Sequence, residues 1–131
     1  IRYVREIGVE KIGAHESKLA LSFIRKVKEI TGVRVYSGRN PDIQIGPVSL
    51  TIDGKEPAAV GSLMDEKYGI ACRPGLHCAP GTHEFLGTLP AGTIRFSFGW
   101  FNTQDDVDAA ATAASSAART RRPPFRRDQR A

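Results

Sequence analysis

One short stretch of the chain concentrates residues that can take part in chemistry. It reads Arg-Pro-Gly-Leu-His-Cys-Ala-Pro over positions 73–80, and His83 follows three residues later. Neighbouring cations favour the thiolate form of a cysteine, and the thiolate is the nucleophile. Cys78, next to His77 and close in sequence to Arg73, is therefore a candidate nucleophile. The alternative is a buried or unreactive thiol, and residue chemistry alone leaves both open.

The same stretch also contains the residue types that bind metal ions. Cys72, His77, Cys78 and His83 lie within twelve residues of one another. Their spacing differs from the paired Cys-x-x-Cys pattern of structural zinc sites. Cys72 ends a predicted strand and is expected to pack in the core. The sequence therefore predicts no metal site.

A second candidate, Arg95, lies in the middle of an alternating apolar run. Ile94, Phe96 and Phe98 share one face of a predicted strand over residues 93–98, and Arg95 lies on the other face. An arginine there can be a solvated surface group. It can also bind a carboxylate through two parallel hydrogen bonds. Periodicity does not decide between these two roles.

These candidates depend on predicted elements that must position them. The elements are marked by helical spacing of apolar residues, as in 19–30, and by alternation, as in 48–52. Helices are predicted over 1–8, 9–30, 57–68 and from Asn102 or Thr103 to 118, strands over 33–36, 48–52, 70–72 and 93–98, and irregular loops over 37–47 and 74–90. This order predicts an α/β fold of the α+β two-layer type, with helices on one face of a mainly antiparallel sheet.

Composition limits the classes of function. The chain has 131 residues and a net charge of +5, but residues 119–131 hold six arginines and one aspartate. The remaining residues carry 13 basic and 13 acidic side chains, so a specific nucleic-acid partner is not indicated. We interpret 1–118 as one domain and 119–131 as a disordered Arg/Pro-rich tail. No apolar run is long enough to cross a membrane. Two cysteines and no secretory signal favour a reducing, cytoplasmic context.

Several runs of sequence match one family in order. The runs are 68–80 (Tyr-Gly-Ile-Ala-Cys-Arg-Pro-Gly-Leu-His-Cys-Ala-Pro), 86–88, 92–108, 8–12, 15–16, 32–36 and 48–49. They resemble the C-terminal part of the class V aminotransferases, and more narrowly the cysteine desulfurase and selenocysteine lyase branch. The resemblance covers about nine-tenths of the chain. It implies the small C-terminal domain of a fold-type I transferase that depends on pyridoxal 5'-phosphate (PLP).

The resemblance also implies roles for single residues. Cys78 would attack the sulfur of free L-cysteine, giving an enzyme persulfide and L-alanine, with L-selenocysteine as the alternative substrate. Arg95 would bind the substrate carboxylate, Arg73 would help to position the substrate, and His77 aligns with a motif histidine whose role is open. The general base is expected elsewhere. A homodimer is implied for the full-length enzyme, with a sulfur-acceptor protein as a further partner.

The chain also departs from the family pattern. The lysine, aspartate and phosphate-binding residues that hold PLP belong to a large domain, and no counterpart is present in this sequence. We therefore expect the cofactor to be bound mainly by that absent domain and the isolated chain to be inactive. The start at Ile1, inside a predicted helix, indicates a fragment or a processed product. Residues 80–83 also differ from the bulkier sequence usual after the cysteine.

Two other functions compete with a desulfurase. One is a different class V reaction, such as an aminotransferase, lyase or epimerase, although those relatives commonly lack a cysteine at the position of Cys78. The other is a free-standing, non-catalytic interaction domain that uses its basic tail.

Overall fold

The computed structural model describes residues 1–36 and 46–120. In chain order the elements are α1 (Arg2–Ile7), α2 (Val9–Lys28), β1 (Val33–Tyr36), β2 (Val48–Ile52), α3 (Pro57–Tyr68), β3 (Arg73–Gly75), α4 (Pro80–Leu86), β4 (Thr93–Phe96) and α5 (Gln104–Arg119). The predicted loop 37–47 and tail 119–131 fall largely outside the described residues. Within those residues, no helix combines the length and apolar character needed to cross a membrane.

The four strands form one sheet in the order β1-β2-β4-β3, and every neighbouring pair is antiparallel. Helices pack on this sheet, which confirms the predicted two-layer fold. Strand β3 lies at one edge and pairs only with β4. The register sets Arg73 of β3 opposite Arg95 of β4, and Ser49 of β2 opposite Arg95 on the other side.

The hydrophobic core lies between the helices and one face of the sheet. Strand β2 alternates as predicted: Val48, Leu50 and Ile52 are buried, whereas the residues between them are partly exposed. From helix α2, Phe23 is fully buried, with its ring centroid 4.8 Å from that of Phe96. Burying a side chain of this size stabilises a fold by about 1.5–3 kcal/mol. We name the opposite side of the sheet, to which Ser49, Arg73 and Arg95 belong, the outer face.

Helix α5 begins with a complete capping box. The Thr103 hydroxyl accepts the backbone N–H of Asp106, and the Asp106 carboxylate accepts the backbone N–H of Thr103 at 2.8 Å. This arrangement satisfies two donors that a helix start otherwise leaves unpaired. Asn102 instead accepts the N–H of Gly99 at 2.9 Å. Of the two predicted caps, Thr103 is therefore the correct one.

Two predictions around the candidate cysteine were wrong. The strand predicted over 70–72 is instead Arg73–Gly75, and 70–72 is a connection. Pro74 is tolerated in this strand because an edge strand can spare one backbone donor. The stretch 74–90 is not irregular throughout, since it contains α4. That helix starts with Pro80 in its first turn and ends at Gly87, which is left-handed, as is common at helix ends.

Other boundaries differ by about two residues: α2 ends at Lys28 and β4 ends at Phe96. Helix α3 lies close to the edge strand because Gly61 has no side chain. A Cβ at Gly61 would lie 2.8 Å from Cγ of Pro74. This close approach sets α3 directly against β3.

Candidate active site

Cys78 lies at the tip of a tight turn that follows the edge strand. The Ala79 N–H donates to the Leu76 carbonyl at 2.9 Å, which closes a four-residue turn with His77 and Cys78 at its centre. Their φ angles are 52° and 59°, the signs of a type I′ turn, which glycine and asparagine usually occupy. No other non-glycine residue in 1–36 and 46–120 has a positive φ. Each such residue costs about 1–3 kcal/mol, so the turn is strained at the candidate nucleophile.

His77 ties this turn back to the edge strand. Its Nε2 donates to the backbone carbonyl of Arg73 at 2.8 Å, because a carbonyl oxygen can only accept. The His77 imidazole therefore links the turn that contains Cys78 to strand β3. The structure joins two of the predicted site residues, His77 and Arg73, through this bond.

The two cysteines differ in environment. The Cys78 thiol is exposed, whereas Cys72 is partly buried and packs against the core. Burial raises the pKa of the Cys72 thiol, and the nearby Asp65 carboxylate adds to this effect. Of the two, Cys78 is therefore the one suited to act on a substrate.

Arg73 and Arg95 are direct neighbours across the β3–β4 pair and belong to the outer face. Like charges directly opposite on antiparallel strands are destabilising. The Arg95 Nε is buried and has no hydrogen-bond partner within the part of the chain that the structure describes. An unpaired buried donor costs about 1–3 kcal/mol. Arg73 is exposed and Arg95 is partly exposed, so an anion such as a carboxylate would offset the repulsion between the two guanidinium groups, and the pair fits an anionic ligand.

His83 is buried, with 4% of its surface exposed, and its Nδ1 lies 2.7 Å from the Thr88 hydroxyl. In the sequence, His83 stands out only as a neighbour of the cysteine and as a residue type that can bind a metal ion. Among residues 1–36 and 46–120, no group of three His, Cys, Asp or Glu side chains is placed to hold a metal ion. Pro80 and Gly87 are residues typical of a helix start and a helix end, so they indicate a short helix between them. A histidine in the middle of such a helix can face the interior.

Comparison with known proteins decides the family. A profile for the family described as Aminotransferase class-V matches residues 1–110. This chain belongs to the class V aminotransferase family. Among curated members, it is 35% identical over 107 residues to probable cysteine desulfurase 2 of Mycobacterium leprae, which covers 82% of this chain and 25% of that protein. It is also 35% identical over 106 residues to a cysteine desulfurase of Cronobacter sakazakii, covering 81% and 25%.

Solved class V structures agree with this assignment. The apo cysteine desulfurase of Thermococcus onnurineus superposes with a TM-score of 0.83 at 30% identity, covering 89% of this chain and 28% of the other. The cysteine desulfurase CsdA of Escherichia coli gives 0.78 at 26% identity, covering 88% and 27%. The chain thus spans about a quarter of the length of these class V relatives.

Class V desulfurases depend on PLP, which their Schiff-base lysine holds covalently. The described lysines lie on α2, on α3 and in the β2–α3 connection, and none belongs to β3, the Cys78 turn or α4. The turn and outer face instead offer a thiol, imidazole and two guanidinium groups. These groups suit an anionic ligand and thiol chemistry, and none of them is a lysine amine of the kind that holds PLP covalently.

Proposed function

We propose that this chain is the C-terminal part of a PLP-dependent cysteine desulfurase, and that it carries the sulfur-accepting nucleophile and the site for the substrate carboxylate. The observation that carries the proposal is the exposed Cys78 in a strained turn joined to the edge strand through His77. Relatives named cysteine desulfurase support it. The cofactor would be held mainly by the part of those relatives that this chain does not span.

The step that we assign to Cys78 is a thiolate attack on the sulfur of the substrate L-cysteine. A sulfur–sulfur bond forms and the substrate's carbon–sulfur bond breaks, with its electron pair passing to the carbon. That carbon takes up a proton, which yields L-alanine, and Cys78 is left as a persulfide. A sulfur-acceptor protein would then remove the outer sulfur atom. The thiolate must be exposed to reach both, as Cys78 is.

Arg95 would bind the substrate carboxylate, with Arg73 beside it. The position of the partly exposed Arg95 opposite the exposed Arg73 supports this role, because a guanidinium group can bind a carboxylate through charge-assisted hydrogen bonds. Losing a hydrogen bond to a charged group costs about 1.5–3 kcal/mol. We therefore expect Arg95→Ala to raise KM for L-cysteine roughly ten- to a hundredfold.

The deciding experiment measures alanine formed from L-cysteine by the longer protein that carries this chain. Cys78→Ala should abolish alanine formation while leaving cofactor colour unchanged. Cys72→Ala is the matched control, because it removes the other thiol, which is partly buried, and should keep most of the activity. If Cys78→Ala remains active, Cys78 is not the nucleophile. If the unaltered protein binds cofactor but forms no alanine, another class V reaction takes its place.

Finer assignments belong to the same proposal. The substrate would be L-cysteine or L-selenocysteine, the full-length enzyme would be a homodimer, and the isolated chain would be inactive. The free, exposed thiol of Cys78 supports a reducing compartment, and hence the cytoplasm.

A further inference from the structure

His83 is a buried titratable residue that the proposed chemistry does not use. Its neighbour in the same short segment, Thr88, is also buried, with 8% of its surface exposed. Buried polar side chains are retained where their hydrogen bonds are made, and both of these residues are paired.

On one side, the pair is tied to the central strand β4. The Thr88 N–H donates to the His83 carbonyl at 2.9 Å, which closes the end of α4. The Gly92 N–H, immediately before β4, donates to the Thr88 carbonyl at 2.7 Å. The His83–Thr88 side-chain bond at 2.7 Å therefore links helix α4 to the start of β4.

On the other side, the same histidine reaches the nucleophile turn. The His83 N–H donates to the Ala79 carbonyl at 3.2 Å, and Ala79 closes the turn around Cys78. The His83 ring centroid lies 6.0 Å from that of His77, whose Nε2 holds the Arg73 carbonyl. His83 thus lies between β4 and the residue pair in the left-handed conformation.

Neither neighbour of His83 is stable by itself. Helix α4 has seven residues, and isolated helices of that length do not form in water. A type I′ turn with histidine and cysteine at its centre is unfavourable and persists only where surrounding contacts over-determine it. A buried anchor on α4 supplies such a constraint.

We propose that His83 is a positioning residue for Cys78: through Thr88 it anchors α4 and so holds His77 and Cys78 in the left-handed turn. Its catalytic consequence rests on the proposed function, whereas the positioning itself concerns only the fold of the turn. The prediction is that loss of the His83–Thr88 bond releases Cys78 from its left-handed conformation.

The test uses three variants of the chain and one matched control. His83→Leu removes the imidazole, Thr88→Val removes only the hydroxyl, and His83→Asn retains a polar atom near the Nδ1 position. His15→Leu removes another partly buried histidine, whose Nε2 lies 2.9 Å from the Asn102 carbonyl, at the start of α5. NMR chemical shifts and couplings of Cys78 report its φ angle, and thermal unfolding reports the overall fold.

We expect the left-handed signature of Cys78 to be lost in His83→Leu and Thr88→Val, and to be kept in His83→Asn and His15→Leu. A fourth variant, with both His83→Leu and Thr88→Val, should resemble each of these single variants, because the effects of coupled neighbours are not additive. In the longer protein, His83→Leu and Thr88→Val should each lower kcat for alanine formation about ten- to a hundredfold and leave KM unchanged, as expected for a misplaced reacting group.

The proposal is overturned if His83→Leu lowers thermal stability but leaves both the Cys78 signature and kcat unchanged, since His83 would then be merely structural. If His83→Leu does not fold, Thr88→Val decides alone, because it breaks the same bond without removing the buried ring. The NMR signature needs no activity. It therefore separates failure of this proposal from failure of the desulfurase proposal, which Cys78→Ala tests.

Discussion

The helix-covered face of the sheet and its β3–α4 edge differ in how well their backbone and polar groups are satisfied. On the covered face, side chains such as Phe23 and Leu50 are fully buried, and the capping box satisfies the start of α5. At the edge, two non-glycine residues are left-handed, Arg73 opposes Arg95, and the Nε of Arg95 is buried without a partner within the described residues. The unfavourable features of this domain thus cluster beside its candidate nucleophile.

This contrast has a physical reason. Strain and unpaired charge persist only where surrounding structure imposes them, and they gather where a ligand or a reaction uses them. The covered face supplies the stability, and β4 transmits it to the edge because its Ile94 and Phe96 belong to the core while Arg95 belongs to the outer face. Changes that touch the junction between the two regions should therefore have the largest effects.

Gly92 lies at that junction and gives the largest expected effect. Its φ is +81°, and a Cβ there would lie 2.2 Å from the Gly75 carbonyl oxygen, just before the Cys78 turn. Gly92→Ala should cost roughly 1–3 kcal/mol from backbone conformation alone, and the clash must add to this. The measurement is urea unfolding of the chain, together with the NMR signature of Cys78.

Gly54→Ala is the matched control. Gly54 is also left-handed, with φ at +68°, but no atom lies within 4 Å of its added Cβ. It should show the conformational cost only and leave Cys78 unchanged. Equal losses of stability in the two variants would show that the approach of Gly92 to Gly75 does not matter.

The covered region was the part that sequence could predict. The alternation of β2, the apolar face of α2 and the Thr103 cap are local patterns, and each appears in the structure where it was expected. They could be predicted because a helix or strand with one buried face has apolar residues at a regular spacing along its whole length. The family resemblance was likewise visible in the sequence, and the profile match over 1–110 confirms it.

The edge region was less predictable because its elements are short and carry no period. Strand β3 has three residues, one of them Pro74, so it was placed three residues too early. The left-handed conformation of His77 and Cys78 is unusual for their residue types, and no local pattern in the sequence indicates it. The roles of Cys78, Arg95, Arg73 and His77 remain predictions, as do the domain limits 1–118 and 119–131.

Removing the capping box of α5, on the helix-covered side of the sheet, should have an intermediate effect on stability. Thr103→Ala removes the N-cap hydroxyl of α5 and should cost about 1 kcal/mol. Thr112→Ala is the control, because Thr112 is exposed in the middle of the same helix and alanine favours helix there. Thermal unfolding measures both. A Thr103→Ala variant as stable as Thr112→Ala would show that the capping box contributes nothing.

The same cap predicts a pH dependence. Hydrogen bonds from the Thr103 backbone and the Asn102 side chain lower the pKa of the Asp106 carboxyl below its ordinary value of 3.8. A carboxyl with a lowered pKa stabilises the fold above its ordinary value, and this contribution is lost as the pH falls through the folded value. Because asparagine has no carboxyl to protonate, Asp106→Asn should lose less stability than the unaltered chain as the pH falls below about 3.8. An unchanged acid profile in this variant would contradict it.

The smallest expected effect is a gain in stability. It tests whether the β3 edge keeps a residue that destabilises the fold. Arg73→Thr removes one of two like charges that face each other and should stabilise the chain by about 0.2–1 kcal/mol. Arg34→Thr is the control, because Arg34 is exposed on β1 opposite the neutral Thr51.

The difference in stability between these two variants should shrink at high salt, since the charge of the exposed Arg73 is screened by salt. Under the proposed desulfurase function, Arg73→Thr in the longer protein should also raise KM for L-cysteine, even though the fold is more stable. Because the bond from His77 goes to the backbone carbonyl of residue 73, this substitution leaves the Cys78 turn intact. A loss of stability in Arg73→Thr with no change in KM would mean that Arg73 serves the sheet and not the substrate.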